Sequence, residues 1–405
     1  MGDRTGIEWT DATWNPVRGC ARVSAGCQHC YAERVAARFA GEGGPYEGLI
    51  HQKTGAWNGT VKLVPEALQI PWRWSRPRRI FVNSMSDLFH PDVPFEFIAA
   101  VFWVMSVTSR HTYQILTKRP ERMLEFFHWL IARQGSEDLD FIVAVDGSLK
   151  GTPFVSDSAE SAMDDSIHEA AQTIPEIRAL WWEPYKAGKR GGYDNCGPGW
   201  PYENVWLGVS VENQKAAEER IPLLLQCPAA VRWISAEPLL GPVDLRAVSV
   251  PYVGTEGPLE TSYRINALTG EKFAPPRWPD LQAGARIDWV VAGGESGPGA
   301  RPMHPAWARS LLYQCTEAGV PFLFKQWGDW APTEVVAGGD LGGDMRRDLV
   351  RIVKASRLHA WPASDGDSDG HFRPGDARMR RLGKKAAGRL LDGALLDEYP
   401  EAAHG

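Results

Sequence analysis

The run Ile287-Asp288-Trp289-Val290-Val291-Ala292 stops at Gly293-Gly294-Glu295-Ser296-Gly297, and its reading decides the fold. β-branched and aromatic residues ending in glycines mark a buried strand that meets a turn, and a helical pattern follows near 305–318. Five other runs have the same form. Arg79–Ser84 leads into Met85–Phe89, and Thr112–Thr117 into Lys118–Arg122. Val205–Val211 leads into Glu212–Gln214, Val231–Ala236 ends at Glu237-Pro238, and Pro321–Lys325 ends at Gln326–Gly328. Candidate helices lie near 28–40, 94–107, 120–133 and 213–226 as well as 305–318. Strands separated by helix-length stretches specify βα units and a parallel sheet. Polar residues gather just after the strands, where such sheets place their sites. The expected class is α/β, as a partial or open (β/α) barrel with loop insertions.

Working outward, residues 1–330 are expected to form the barrel, interrupted at about 134–203 and 245–283. The first interruption carries an acidic stretch, Asp157 to Asp165, then Lys186–Gly192; the second is rich in Gly, Pro and Thr. Added loop length costs little. Residues 331–405 read as a C-terminal extension with a basic segment, Met379–Lys385, and a short helix around Ala386–Leu391.

The chain has 405 residues, enough for a large core, and a net charge of -6, which gives no support to wholesale nucleic-acid binding. No apolar run approaches the ~20 residues of a membrane span, and the start lacks the pattern of a signal peptide. A cytoplasmic location is therefore expected, and there clustered cysteines read as metal or redox ligands rather than disulfides. Eighteen tryptophans are many for this length; most must be core, with some available as pocket walls.

Three of the six cysteines fall in Gly19-Cys20-Ala21-Arg22-Val23-Ser24-Ala25-Gly26-Cys27-Gln28-His29-Cys30-Tyr31. The spacing C-x6-C-x2-C lets the thiolates converge on one metal centre. A structural zinc site wants four ligands. A four-iron, four-sulfur (4Fe-4S) cluster on three thiolates leaves one iron open for an outside ligand. Zinc would need a fourth donor, either His29, poorly placed directly before Cys30, or a distant His or Cys, and Cys196, in the first insertion, stays open as a ligand. Cys227 and Cys315 lie in helical patterns and read as buried small hydrophobes. The stretch Trp72-Arg73-Trp74-Ser75-Arg76-Pro77-Arg78-Arg79 interleaves bases and aromatics. That pattern can contact phosphates and stack bases, but a solvated approach to a buried strand explains it more simply.

Several blocks carry a family resemblance. They are Ile7–Pro16 running into Gly19-Cys20 and Cys27–Glu33, Ser235–Pro242, Gly293–Gly297 with Ala300–Met303, Phe324–Gly328, and Gly383–Gly393. Together they resemble an uncharacterised family of phage and prophage proteins, a domain of unknown function. That family in turn resembles the radical S-adenosylmethionine (SAM) enzymes, whose cluster motif is C-x3-C-x2-C after the first barrel strand. Here the first gap is six residues, and His29 takes the position usually aromatic. Leu116-Thr117-Lys118-Arg119 is similar to the DNA-photoproduct lyase branch.

The resemblance implies a 4Fe-4S cluster on Cys20, Cys27 and Cys30 and reductive cleavage of SAM to a 5′-deoxyadenosyl radical. It implies Lys118 near the SAM carboxylate, and Ser84 and Asp87 where the superfamily holds the SAM amino group, although its glycine-rich segment is missing. Ser210 and Glu212 are candidates for SAM amino or ribose contacts, Glu237 and Glu295 for substrate or ribose hydroxyls. Each acidic residue also has a simpler reading, as a helix N-terminal partner. An electron donor and a nucleic-acid or nucleotide substrate follow from the same resemblance. The alternative is a non-catalytic phage protein, stabilised by zinc or a cluster, that binds nucleic acid or a partner.

Overall fold

A computed structural model of the protein describes residues 5–133, 165–179, 201–251, 262–273, 284–332, 349–352 and 377–401. The largest sheet has seven strands: β1 (Ala12–Trp14), β2 (Arg79–Val82), β3 (Thr112–Thr117), β4 (Val205–Ser210), β5 (Val231–Ala236), β6 (Trp289–Gly293) and β7 (Phe322–Gln326). Every neighbouring pair is parallel, and the order across the sheet is the order along the chain. A doubly wound sheet reverses direction partway. A chain that always steps the same way, with right-handed crossovers, lays its helices on one face and curls the sheet around the other. The result is a mixed α/β fold with a curled parallel half-barrel, the partial barrel expected.

The helices begin and end where local chemistry allows. Those that follow strands of the large sheet are α1 (Tyr31–Ala37), α2 (Phe95–Val107), α3 (Pro120–Ala132), α4 (Gln214–Gln226) and α5 (Pro305–Ala318). Pro120 and Pro305 open α3 and α5, where a missing N–H costs nothing. Asn213 caps α4 by accepting from the Ala216 N–H at 3.0 Å. Gly319, at φ 65°, closes α5 in the left-handed conformation that glycine adopts freely.

Alternation along each strand splits the core in two. Ile80, Ile115, Leu207, Ile234, Val290 and Phe322 point outward into the layer shared with the helices. Phe81, Trp206, Trp233, Trp289, Val291 and Leu323 point into the concave side, where Trp9 joins them. The rings there meet at 4.7–6.4 Å between centroids, most of them tilted or edge-on. Gly208 on β4 has to be glycine: a Cβ there would sit 2.5 Å from the Trp233 ring.

Some elements differ from the sequence reading. Strand β1 is only three residues long and carries no run that pattern could detect. Within the second expected insertion, Val248–Pro251, Ser262–Ile265 and Lys272–Phe273 form a small antiparallel sheet. Most of the first insertion, including Cys196 and Lys186–Gly192, lies outside the described residues, as does the acidic stretch up to Asp164. The expected helix at Ala386–Leu391 is instead a single turn, Lys384–Ala387, stopped by Gly388 (φ 76°) and followed by a hairpin, Leu390–Leu391 with Ala394–Leu395.

The residues after that hairpin cover the open edge of β7. The Phe324 N–H donates to Leu396 O, and Leu323 bridges Asp397 in antiparallel fashion. The Trp289 indole donates to Glu398 O, and the Tyr399 hydroxyl to Glu8 O, so residues from the two ends of the chain meet at the N-terminal end of the strands. Among the described residues no helix is long and apolar enough to cross a membrane.

Candidate functional site

The three cysteines sit in the segment after β1, at the C-terminal end of the parallel strands. Cys27 ends a short 3-10 turn, Ala25–Cys27, and Cys30 precedes α1. Gly19 makes the approach possible: it holds φ 90°, and a Cβ would meet Thr60 O at 2.2 Å. Cys20, Cys27 and Cys30 line one cavity of about 150 Å³ together with Ser84, Asp87 and Lys118.

The six residues between Cys20 and Cys27 are tied down at close intervals. Arg119 donates to Ala21 O at 2.9 Å, and Arg22 makes a two-pronged pair with the buried Glu33 of α1 at 2.6 and 2.8 Å. The Ser24 hydroxyl donates to Glu212 at 2.7 Å, and Arg301 to Ala25 O at 3.0 Å. The longer gap is thus a folded segment with four separate anchors.

Three buried carboxylates at strand ends build this frame. Asp87, after β2, accepts from the Thr117 hydroxyl (2.7 Å), the Lys118 N–H (3.2 Å), the Phe89 N–H (3.0 Å) and the Arg119 guanidinium (2.8 Å). Glu212, after β4, meets Ser24, Arg220 (2.8 Å) and the Lys118 ammonium (3.5 Å). Burial works against its charge, but Lys118, Arg220 and the Ser24 hydroxyl outweigh it and hold the carboxyl below its usual range. Its side chain lies so close under the cysteine segment that a Cβ on Gly26 would come within 2.4 Å of it. Glu295, after β6, is bridged by both arms of Arg301, at 2.7 and 2.9 Å. Arg34 of α1 donates to Ser296 O and fills the space over Gly297 (φ 99°).

A second cavity, of about 330 Å³, opens beside the first on the concave face. Both are lined by Gly26, Cys30, Tyr31, Phe81, Leu116, Lys118 and Ser210. The larger one has Trp9 and Ile7 in its walls, and Ser235, Glu237, Glu295 and Lys325 near its rim. Glu237 pairs with Lys325 at 3.1 Å, and Gly293 leaves the room that its carboxylate occupies.

The sequence-derived candidates therefore fall into groups. Lys118 and Ser210 border both cavities, Ser84 and Asp87 the smaller, Glu237 and Glu295 the larger. Glu212 lines neither; it lies beneath the cysteine segment. The carboxylates of Asp87 and Glu295 are already occupied by their arginines. Arg119, Arg301, Arg34 and Lys325 are the residues that sequence reasoning missed as site members. The signals were adjacency to Lys118 for Arg119, and membership of the blocks at Ala300–Met303 and Phe324–Gly328 for Arg301 and Lys325. The Trp72–Arg79 stretch does not join the site. It lies at the opposite, N-terminal end of β2, with Trp74 buried and Trp72 packed on Trp103 at 5.4 Å.

The donor set is three soft thiols. Burial, with Asp87 adding to it, pushes the Cys20 thiol up to about 12; burial also raises Cys30, against the N–H groups of Glu33 and Ala32 that favour its thiolate. Cys20 and Cys30 thus hold their protons more tightly than an ordinary thiol, and a bound metal would displace them. Among the described residues no three His, Cys, Asp or Glu side chains form a group that could hold a single metal ion. Three thiols around one cavity are the soft donor type that iron–sulfur clusters take.

No curated protein and no solved structure matches the chain. A family model does, over residues 4–400, and the chain accordingly belongs to the family described as Protein of unknown function (DUF5131).

Proposed function

We propose that this protein is an iron–sulfur enzyme of radical SAM type, with a 4Fe-4S cluster on Cys20, Cys27 and Cys30 and SAM in the adjoining cleft. One observation carries the reading. Three thiols share a cavity at the C-terminal mouth of a curled parallel sheet, and that cavity adjoins a larger one along a common wall. Half-barrels place reactive groups at this end because the strand-end loops converge there.

When bound, such a cluster supplies one electron to the sulfonium of SAM and starts radical chemistry on a substrate. The protein's own part is positioning. Lys118 borders both cavities and offers an ammonium to a carboxylate held between them. Ser210 and Ser235 offer hydroxyls, and the Glu237–Lys325 pair offers an acceptor and a donor on the far rim. The packed aromatic floor keeps water from entering below. An external electron donor is required, and a nucleic acid or nucleotide is the proposed substrate, with Lys325 and Lys384 along the cleft as phosphate contacts.

Anaerobic reconstitution with iron and sulfide, then incubation with SAM and dithionite, tests the reading. The expected result is about four irons per chain and release of 5′-deoxyadenosine. One zinc and no iron overturns it, and so does a cluster that never yields 5′-deoxyadenosine.

A further inference from the structure

The Asp87–Arg119 pair is the charged unit that reaches a cysteine sulfur. The Arg119 Nη1 lies 3.8 Å from Cys20 Sγ and 2.8 Å from Asp87 Oδ2, while Nη2 holds Ala21 O at 2.9 Å. Both residues are buried, with 8 % and 5 % of their surfaces exposed. Asp87 cannot turn away, because the Thr117 hydroxyl and the N–H groups of Phe89 and Lys118 also hold its carboxylate.

We propose that Arg119, held by Asp87, sets the reduction potential of the cluster through Cys20. The proposal rests on the cluster reading above and assigns Arg119 as a positioning residue. A guanidinium is always charged, and in a buried setting its field is weakly screened. Reduction adds one electron, from a low-potential reductant, to a group whose charge already spreads onto the ligating sulfurs. A cation donating a hydrogen bond to one of those sulfurs favours the reduced state, and hydrogen bonds to sulfur and local net charge are known levers on cluster potential. Asp87, which lines the same cavity as Cys20 and Arg119, acts with the opposite sign.

Arg119→Gln and Asp87→Asn separate an electrostatic role from a structural one. Each reconstituted variant is compared with the wild type by iron and sulfide content and by dithionite titration followed by electron paramagnetic resonance. Arg119→Gln is expected to make reduction about tenfold less favourable, a shift of 59 mV to more negative potential for one electron. Asp87→Asn is expected to shift it the other way, and Arg119→Lys, which keeps the charge, to stay nearer the wild type than Arg119→Gln. Where Arg119→Gln assembles no cluster, the direction of the Asp87→Asn shift decides the sign. Shifts in the same direction, or none, overturn this inference while leaving the cluster reading intact. A wild type that takes up no iron removes both.

Discussion

At the N-terminal end of its strands the concave face carries Trp206, Trp233 and Trp289, with Trp9 laid over them; at the C-terminal end the same strands lead to Lys118, Ser210, Ser235 and Lys325. The floor is held by area. Aromatic side chains bury about 150–250 Å² each and gain further from edge-to-face contact. The rim is held by charge, through Asp87–Arg119, Glu212–Arg220 and Glu295–Arg301. Taking such ions out of water costs several kcal/mol each, so buried pairs are poor sources of net stability. What they give is fixed geometry, because a buried carboxylate with all its partners in place tolerates no other arrangement. The floor, then, stabilises the half-barrel, and the rim spends part of that stability on holding the cysteine segment still.

The largest test compares one residue from each region. Trp233→Ala should cost about 3–5 kcal/mol in chemical denaturation, through the cavity it leaves, while the folded fraction keeps its iron. Glu212→Ala should cost a similar ~3–5 kcal/mol by stranding Arg220, and should also lower iron content, since Ser24 and Gly26 lose the surface they rest on. Iron loss in the floor variant, or full iron in the rim variant, would break the division. Acid should mimic the rim variant. With its carboxyl held below the usual range, Glu212 contributes fully above the pKa of an unfolded glutamate, and the contribution is lost as pH falls through its own lower value. A Glu212→Gln variant should therefore show a shallower decline in stability on acidification.

A smaller effect sharpens the picture within the rim. Lys118→Ala should leave cluster assembly intact and weaken SAM binding at least tenfold, as expected for one charged contact worth about 1.5–3 kcal/mol; calorimetric titration reads it, and unchanged affinity would remove Lys118 from the ligand cleft. The smallest effect belongs to neither region. Lys215 pairs with Glu219 one turn along the exposed face of α4, and Lys215→Ala should change stability by no more than about 0.5 kcal/mol.

Much of the floor was legible in the sequence, because β2 to β7 are runs whose side chains are buried on both sheet faces and so read as continuous apolar stretches. Five helices were legible from the helical pattern between those runs, and in the structure Pro94, Pro120, Asn213, Pro305 and Gly319 mark the ends of four of them. Strand β1 was not, since three residues carry no period, and neither was the small sheet at 248–273, whose strands are two to four residues long. At the rim, the chemistry-bearing residue types stood out but their employment did not. Glu212, Asp87 and Glu295 are carboxylates on strand-end loops, and nothing local says that each is already taken by an arginine. Arg220 and Arg301 lie only eight and six residues beyond their carboxylates and are selected by how loop and helix fold back, whereas Arg119 reaches Asp87 from the neighbouring strand's end. Arg301 reaches back 276 residues to Ala25, a contact that no window of sequence contains.

The seam over β7 has a consequence for synthesis. Tyr399 and Glu8 are 391 residues apart in the chain, and among the described residues the free edge of β7 is covered by residues from 389 onward. As the chain leaves the ribosome, six strands and the cysteine segment are complete while an edge strand and the open flank of the aromatic floor still face the surroundings. Exposed strand edges invite pairing with other chains, and long-range closure comes slowly. Any metal loaded during translation therefore enters a half-barrel that has not yet been laced shut, and the interval before lacing is when this chain is most open to delivery and most open to misassembly.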